Sequence, residues 1–235
     1  MIASEVRSSD SNEARHLPPL ENGDQLEASE FLRRYEGMPA TKKAELVGGV
    51  VFMASPVRIR QHATPDSWIQ TWLGVYALRT LGVESAINAT ALLNQDDVVQ
   101  PDGLLRLLPE CGGQTQIDER GCLIGAPELV AEIAASSAAL DLHGKLAAYR
   151  RSGCREYLVW QPEERVVHWW SVEQNELTAL PVESDGTIRS LVFPGLWLDQ
   201  PALLRGDGSA LLATLDRGMA SPEYLRFREH LKAGL

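Results

Sequence analysis

Residues 126–160 read APELVAEIAASSAALDLHGKLAAYRRSGCREYLVW. The short apolar run over residues 128–135 predicts a buried strand. Leu142, Leu146 and Tyr149 then share one helical stripe that stops at Gly153, which predicts a helix over residues 140–152. Residues 155–160 form a second β-rich run. The stretch therefore predicts a strand, a helix and a strand in succession.

On the N-terminal side the pattern predicts a hairpin between two helices. Gly48 and Gly49 supply the positive φ angles of a two-residue turn between strands at 43–47 and 50–54. Ser29 is predicted to cap a short helix that runs to about Tyr35. Apolar residues spaced by three and four predict a longer helix from Thr64, ending at Gly82.

The remaining segments alternate between strand-like and helix-like patterns. β-rich runs cover residues 83–93 and 98–107, a polar loop follows over 110–121, and residues 155–171 predict a second hairpin. Residues 203–215 and 222–232 predict additional helices. We therefore predict an α/β fold with a mixed central sheet flanked by helices and with extra C-terminal helices.

Composition bounds the organisation of the chain. The 235 residues fit one sizeable domain, which we place at 25–200, with a disordered tail at 1–24 and a helical extension at 201–235. The net charge is −10, and half of the excess lies in residues 1–30, which hold seven acidic and two basic residues. Such a charge disfavours nucleic-acid binding by overall electrostatic attraction.

The sequence predicts a cytoplasmic protein without a membrane span. No stretch reaches the roughly 18 uninterrupted apolar residues of a spanning helix, and the first thirty residues lack a signal-peptide pattern. The three cysteines, Cys111, Cys122 and Cys154, form no C-x-x-C pair, which disfavours a disulfide framework or a zinc site.

Three acidic residues lie in or at the end of apolar strand-like segments: Glu45, Asp102 and Glu132. A carboxylate there carries a large desolvation cost unless a cation or several donors offset it. If the strands bring the three acids together, a divalent metal would relieve their repulsion, and oxygen ligands favour Mg²⁺ or Mn²⁺. Alternatively, each acid caps a strand end or faces solvent.

Lys145 is the fourth candidate site residue. It is one of only four lysines and follows Glu132 by 13 residues, on a helix that could fold back over the strand end. An ammonium group there could orient an attacking water or meet charge on a phosphoryl oxygen. The alternative is an exposed ion pair with Asp141, one helical turn earlier.

The order of these motifs resembles a known nuclease family. The segments that carry the resemblance are Gln100-Pro101-Asp102, the run from Ala126 into Glu132, Asp141 with Lys145 and Tyr149, and residues 153–159. Together with Phe31-Leu32, residues 44–49, Ser55-Pro56 and His62 they resemble the Uma-type branch of putative restriction-endonuclease-like proteins in the PD-(D/E)XK nuclease superfamily, over roughly residues 27–200.

The resemblance implies metal-assisted hydrolysis of nucleic-acid phosphodiester bonds, with DNA as the expected partner. It implies Glu45, Asp102 and Glu132 as catalytic metal-binding acids for Mg²⁺ or Mn²⁺, and Lys145 as the catalytic lysine. Ala134 stands where the usual E-x-K motif has lysine, so Lys145 is its expected counterpart.

Two departures and one basic segment leave alternatives open. The chain has Ala135-Ser136-Ser137 where relatives commonly show Ser-Pro-Ser, and Val50 where an acid is more usual. Three features favour an alternative function, a catalytically inactive interaction or assembly module. They are the acidic net charge, the altered loop and the extra C-terminal helices. Arg58, Arg60 and His62 are candidate phosphate contacts or simply a solvated loop.

A homodimer is also predicted, because cutting two strands requires two sites. Residues 203–235 are the expected interface, on the basis of their apolar helical pattern.

Overall fold

The structure is a computed structural model and describes residues 17–39, 42–135 and 138–235. Most of the predicted tail, residues 1–16, and Ser136 and Ser137 of the predicted loop lie outside the described residues. Residues 17–24 are packed: Leu20 is buried, and the Gly23 amide donates to the Val51 carbonyl at 2.8 Å. Packed structure therefore begins before residue 25.

The elements follow the predicted order. The helices are α1 (Ala28–Glu36), α2 (Thr64–Arg79), α3 (Leu146–Arg151), α4 (Gln200–Arg205), α5 (Gly208–Met219) and α6 (Pro222–Gly234). The strands are β1 (Ala44–Val47), β2 (Val50–Met53), β3 (Val83–Ile87), β4 (Ala91–Leu92), β5 (Val98–Val99), β6 (Gly103–Leu107), β7 (Gln116–Ile117), β8 (Leu123–Ile124), β9 (Leu129–Ile133), β10 (Glu156–Gln161), β11 (Val166–Glu173), β12 (Glu176–Ala179), β13 (Thr187–Arg189) and β14 (Trp197–Asp199).

Within the described residues these strands form two six-stranded sheets and a two-stranded ribbon. The sheet with the longer strands, here called the larger sheet, has the order β12-β11-β10-β9-β6-β3. The sheet with the shorter strands, called the smaller sheet, has the order β2-β1-β5-β4-β8-β7. The β9 and β10 strands pair in parallel, because the helical segment after β9 carries the chain back. Both sheets mix parallel and antiparallel pairs, as the predicted α/β fold requires.

Helices cover both faces of the larger sheet. Strand residues alternate: Leu129, Ala131 and Ile133 of β9 pack on the α2 side, while Val130 and Ala134 pack on the α3 side. Because β9 is covered on both faces, its side chains are all buried. Glu132 thus lies inside the protein on the α3 side.

The C-terminal helices complete the α2 side of the core. Their apolar residues Leu211, Leu215, Tyr224 and Leu231 are buried in the same cluster as α2 and the larger sheet. The apolar pattern that predicted a dimer interface over residues 203–235 is therefore used inside the chain. The homodimer itself stays a prediction.

Local corrections concern helix ends and interruptions. Glu27, not Ser29, precedes the first helical residue of α1, and Ser29 lies inside the helix. The helix predicted over residues 203–215 is divided at Gly206, whose φ of 80° is left-handed and ends α4. The β-rich runs 83–93 and 98–107 each divide into two strands that belong to different sheets.

Candidate active site

Four separate segments bring the sequence-predicted acids and lysine into one buried cluster. Glu45 comes from β1, Asp102 from the junction between β5 and β6, and Glu132 from β9. Lys145 ends a wide helical turn, Leu140–Lys145, that leads into α3. Asp102 lies where the chain passes from the smaller sheet to the larger one, which is why it approaches both β1 and β9.

Lys145 is the centre of the cluster. Its Nζ lies 2.9 Å from Glu132 Oε1, 3.1 Å from Glu45 Oε1 and 3.6 Å from Asp141 Oδ1, and the residue is 4% exposed. Burial lowers the pKa of Lys145, but the neighbouring carboxylates, Glu132 first among them, outweigh burial and raise it well above its ordinary value. The side chain is therefore an ammonium at neutral pH.

The pair of Asp141 and Lys145 is buried, which corrects the alternative of an exposed ion pair. Both residues belong to the Leu140–Lys145 segment, whose hydrogen bonds span five residues rather than four. Wide turns of this kind occur mostly as single turns within helices, and they are frequent at functional sites. Tyr157 links the segment to β10, since its hydroxyl donates a hydrogen bond to the Asp141 carbonyl oxygen at 2.9 Å.

Asp102 is held in the ionised form by its donors. Its Oδ2 accepts from the Ile133 amide at 2.8 Å and lies 3.2 Å from His62 Nε2. Burial raises the pKa of Asp102, but His62, the Ile133 amide and Lys145 together hold it below its ordinary value. The Gln70 amide nitrogen donates to the Asp102 backbone carbonyl at 2.7 Å, which fixes this turn to α2.

Glu132 has the opposite electrostatic balance. Burial raises its pKa well above the ordinary value; Lys145 opposes this, while Asp102, Asp141 and Glu45 add to it. Its Oε2 accepts from the Asp102 amide at 3.3 Å, so the two acids are directly linked. The cluster thus holds more negative charge than Lys145 alone offsets.

Glu45 contacts the lysine and the chain that precedes Asp102. Its Oε1 accepts from the Gln100 amide at 2.6 Å, in addition to its contact with Lys145. The Gln100 side chain in turn donates to the Tyr35 hydroxyl at 2.9 Å. Glu45 therefore ties β1 and α1 to the loop that carries Asp102.

The three candidate phosphate contacts lie in different environments. Arg58 and Arg60 are exposed at the turn Ile59–Ala63 that leads into α2. His62 is turned inward onto Asp102, and this contact is the main cause of its raised pKa. The structure thus brings His62 to the acids and leaves the two arginines at the surface.

A family model described as "Uma2: Putative restriction endonuclease" matches residues 28–201. The chain belongs to the Uma2 family. The Uma-type resemblance read from the sequence is confirmed, and the match ends just after β14.

A solved structure supports the fold of this Uma2-family chain. It is the crystal structure of "a putative nuclease belonging to DUF820" from Anabaena variabilis ATCC 29413, with a TM-score of 0.57 and 16% sequence identity. The similarity covers 74% of this chain and 97% of that one. The predicted fold class is confirmed. No curated protein matches the chain.

The carboxylates of this Uma2-family site fit a hard divalent cation in donor type and in charge. Asp102 and Glu132 offer oxygen donors, and the acids around Lys145 outnumber its single positive charge. Within residues 17–39, 42–135 and 138–235, no three His, Cys, Asp or Glu side chains are grouped closely enough to hold one ion. Asp102 and Glu132 would therefore hold a cation as a pair, leaving other positions to water or substrate oxygens, as Mg²⁺ prefers.

The sequence-based prediction missed several residues of the site. Asp66 is half-buried, and burial raises its pKa, with Asp102 adding to the effect. Gln70 bridges Asp66 and the Asp102 carbonyl, at 2.8 and 2.7 Å. The spacing of Asp66 and Gln70 by one helical turn was visible, but nothing local showed that α2 faces Asp102.

In the described part of this Uma2-family chain, the structure contains no helix long and apolar enough to cross a membrane.

Proposed function

We propose that this chain is a metal-dependent endonuclease that hydrolyses phosphodiester bonds in DNA. Its family carries the description "Putative restriction endonuclease", and the similar solved structure is described as "a putative nuclease". The observation that carries the proposal is the convergence of Glu45, Asp102, Glu132 and Lys145, from segments far apart in sequence, on one buried cluster.

The two linked acids are the proposed metal ligands. Asp102 and Glu132 would hold Mg²⁺ or Mn²⁺ between β6 and β9. When bound, such an ion polarises the scissile phosphate and lowers the pKa of a water molecule. Glu45 shares its Oε1 between Lys145 and the Gln100 amide, so its predicted role as a third ligand requires Lys145 to move away.

Lys145 acts as an ammonium group in the proposed reaction. It donates a hydrogen bond to the attacking water or to a non-bridging phosphate oxygen, where negative charge develops. The water oxygen forms a bond to phosphorus while the bond from phosphorus to the sugar oxygen breaks; solvent takes up the proton that the water loses and supplies the one that the leaving sugar oxygen gains. His62 contacts the Asp102 carboxylate, and the proposal assigns contacts with flanking phosphates to the exposed Arg58 and Arg60.

Cleavage of plasmid and single-stranded DNA in Mg²⁺ or Mn²⁺ tests the proposal. Asp102→Ala with Glu132→Ala should abolish cleavage, and Lys145→Ala should reduce it by at least about 100-fold, because one electrostatic donor contributes that much in comparable sites. Asp216→Ala with Glu229→Ala removes two exposed carboxylates on α5 and α6 and is the matched control. Full cleavage by the Asp102 and Glu132 double variant would refute the assignment.

Calorimetric titration with Mn²⁺ separates metal binding from chemistry. Wild type and the Asp216 and Glu229 control should bind the ion, and the Asp102 and Glu132 double variant should not. If the wild-type protein does not bind Mn²⁺, the inactive interaction or assembly module is favoured. The observation in favour of that alternative is the ion pairing of Lys145 with Glu132 and Glu45, which occupies oxygens that a metal would use.

The homodimer is tested by sedimentation of the intact chain. A monomer at micromolar concentration would refute it.

A further inference from the structure

A cavity of about 330 Å³ opens on the α2 side of the larger sheet, and of its lining residues only Arg60 has a role in the reaction proposed above. Its walls come from the start of α2, the end of β10 and the end of α4. Aromatic, basic and small residues line it: Arg60, Thr64, Trp68, Trp160, Arg205 and Gly206 are among them. Its volume is at the lower end of the range for small-molecule sites.

The cavity lies at the same end of the larger sheet as the candidate active site. Trp160 pairs in register with Ile133, the residue after Glu132, and the Ala134 amide donates to the Trp160 carbonyl at 2.9 Å. Arg60 precedes His62 by two residues, and His62 contacts Asp102. The segment over residues 60–66 therefore joins the cavity to the acids across the end of β9.

The lining supplies what a nucleotide needs. Trp68 is partly exposed and offers an aromatic face for stacking, while Arg60 and Arg205 are exposed cations that can contact phosphate. Arg205 has one exposed partner, Asp207 at 3.2 Å, and such pairs are readily exchanged. Two arginines at one cavity are notable in a chain of net charge −10.

Trp160 is the second aromatic residue of the lining. The residue is 6% exposed, and its indole Nε1–H has no hydrogen-bond partner among the described residues. A buried donor without a partner costs about 1–3 kcal/mol, and Trp N–H groups usually find partners when buried. The nitrogen itself has almost no accessible surface, so a ligand in the cavity reaches it only if the Trp160 indole or a neighbouring side chain moves.

We propose that this cavity binds one unpaired nucleotide of a DNA substrate, next to the scissile phosphate at Asp102 and Glu132. The inference rests on the proposed function. A paired base is stacked on both faces and cannot enter a cavity without leaving the helix, so an unpaired nucleotide binds at lower cost. The site therefore favours single-stranded or locally opened DNA over intact duplex.

Binding of labelled oligonucleotides, measured by fluorescence anisotropy in EDTA, tests this preference without cleavage. The probes are a single-stranded 20-mer and the matched duplex. Thr64→Glu places a negative charge in the cavity, whereas Ser67→Glu places the same charge in the same turn of α2, away from the cavity lining. Both positions are exposed, and an acid near a helix start does not destabilise it, so both variants should fold.

We expect Thr64→Glu to weaken binding of the single strand by about 5-fold or more, the effect of one unfavourable charge contact, and Ser67→Glu by less than about 2-fold. Equal effects of the two variants would overturn the inference, as would tighter binding of the duplex or no binding at all by wild type. If Thr64→Glu and Ser67→Glu bind a single strand with an abasic site equally well, the base itself occupies the cavity.

Trp68→Leu provides a second test that keeps an apolar side chain at the position. Base stacking predicts a loss of about 5-fold to about 100-fold for the single strand. Unchanged affinity in a folded Trp68→Leu variant would overturn the inference. Because these measurements need no metal, they can succeed while the cleavage assay fails, and the two proposals can be refuted separately.

Discussion

At the scale of single residues, the acidic cluster brings several charged side chains into the protein interior. Glu132 and Lys145 are almost fully buried, and burying either charge alone would cost several kcal/mol. Each therefore depends on the other, and the excess of carboxylates makes the lysine indispensable. A site with more negative than positive charge is also one that gains from binding a cation.

Removing Lys145 should therefore destabilise the fold itself. We expect Lys145→Met to lower the free energy of unfolding by about 3–5 kcal/mol, because it removes the ammonium that offsets the buried charges of Glu132 and Glu45. Adding Glu132→Gln should recover part of the loss, since it removes the charge nearest the missing ammonium. Urea denaturation measures both. An unchanged unfolding free energy in Lys145→Met would contradict the buried ion pairs.

A second buried acid, Glu156, should make stability depend on pH. Burial raises its pKa to about 7, against hydrogen bonds from Ser190 and from the Val192 and Leu191 amides. The folded state then holds a proton that the unfolded state releases, so the contribution of Glu156 to stability is most favourable below about pH 4.5 and falls as pH rises toward 7. Glu156→Gln should remove this contribution, about 3 kcal/mol at most.

Urea denaturation between pH 5 and 8 measures the effect. We expect Glu156→Gln to flatten the profile and to be the more stable protein at pH 8. Glu163→Gln, at an exposed position in the turn between β10 and β11, should leave the profile of wild type unchanged. A steeper fall in Glu156→Gln than in wild type would contradict the assignment.

A buried site residue was predictable from sequence where its type is unusual for the element that contains it. Glu132 stands out as an acid within an apolar strand, so its burial could be predicted. Asp66 and Gln70 lie in an ordinary helical pattern, and only the packing of α2 against the larger sheet brings them to Asp102. Lys145 was predicted as a candidate, but its depth depends on the wide helical turn, which no sequence pattern indicated.

At the scale of elements, α5 is held against β14 by a close approach of two glycines. A Cβ at Gly218 would lie 2.3 Å from the Gly195 carbonyl oxygen and 2.7 Å from Trp197 Cγ. Both are packed groups that cannot move freely. The helix can therefore reach β14 only with glycine at this position.

Gly218→Ala should destabilise the protein by about 1–3 kcal/mol, because α5 must shift away from β14. Gly208→Ala, in the first turn of the same helix, has no described atom within 4 Å of its added carbon and should change stability by less than about 1 kcal/mol. Thermal unfolding of the two variants checks this. A neutral Gly218→Ala would show that α5 is not tightly packed there.

Element types were more predictable than their ends and partners. The Gly48-Gly49 turn predicted the β1–β2 hairpin because its backbone requirement is local. The division of residues 83–107 between two sheets was not predicted, since it depends on which strands pair at long range. Likewise the extra C-terminal helices were predicted, but their role as a cover for α2 was not.

At the scale of the whole molecule, the charge distribution limits how DNA can be held. The net charge is −10, so the overall field repels a polyanion. Arg58 and Arg60 are exposed in the segment that leads to His62, and Arg205 is exposed at the cavity that Arg60 also lines. Binding should therefore depend on a few local contacts, with the metal ion, where bound, supplying further positive charge beside the phosphate.

A shallow salt dependence of duplex DNA binding follows. Three arginine contacts to phosphate give a slope of log affinity against log salt no steeper than about −3, because each neutralised phosphate contributes about −0.9. Arg58→Ala should make the slope shallower by about 1, while Arg226→Ala, exposed on the distant α6, should leave it unchanged. Anisotropy titrations across a range of KCl concentrations in EDTA measure the three slopes. A wild-type slope near −8 would mean that DNA contacts a much larger basic surface than the one around Asp102, and equal slopes in the two variants would remove Arg58 from the interface.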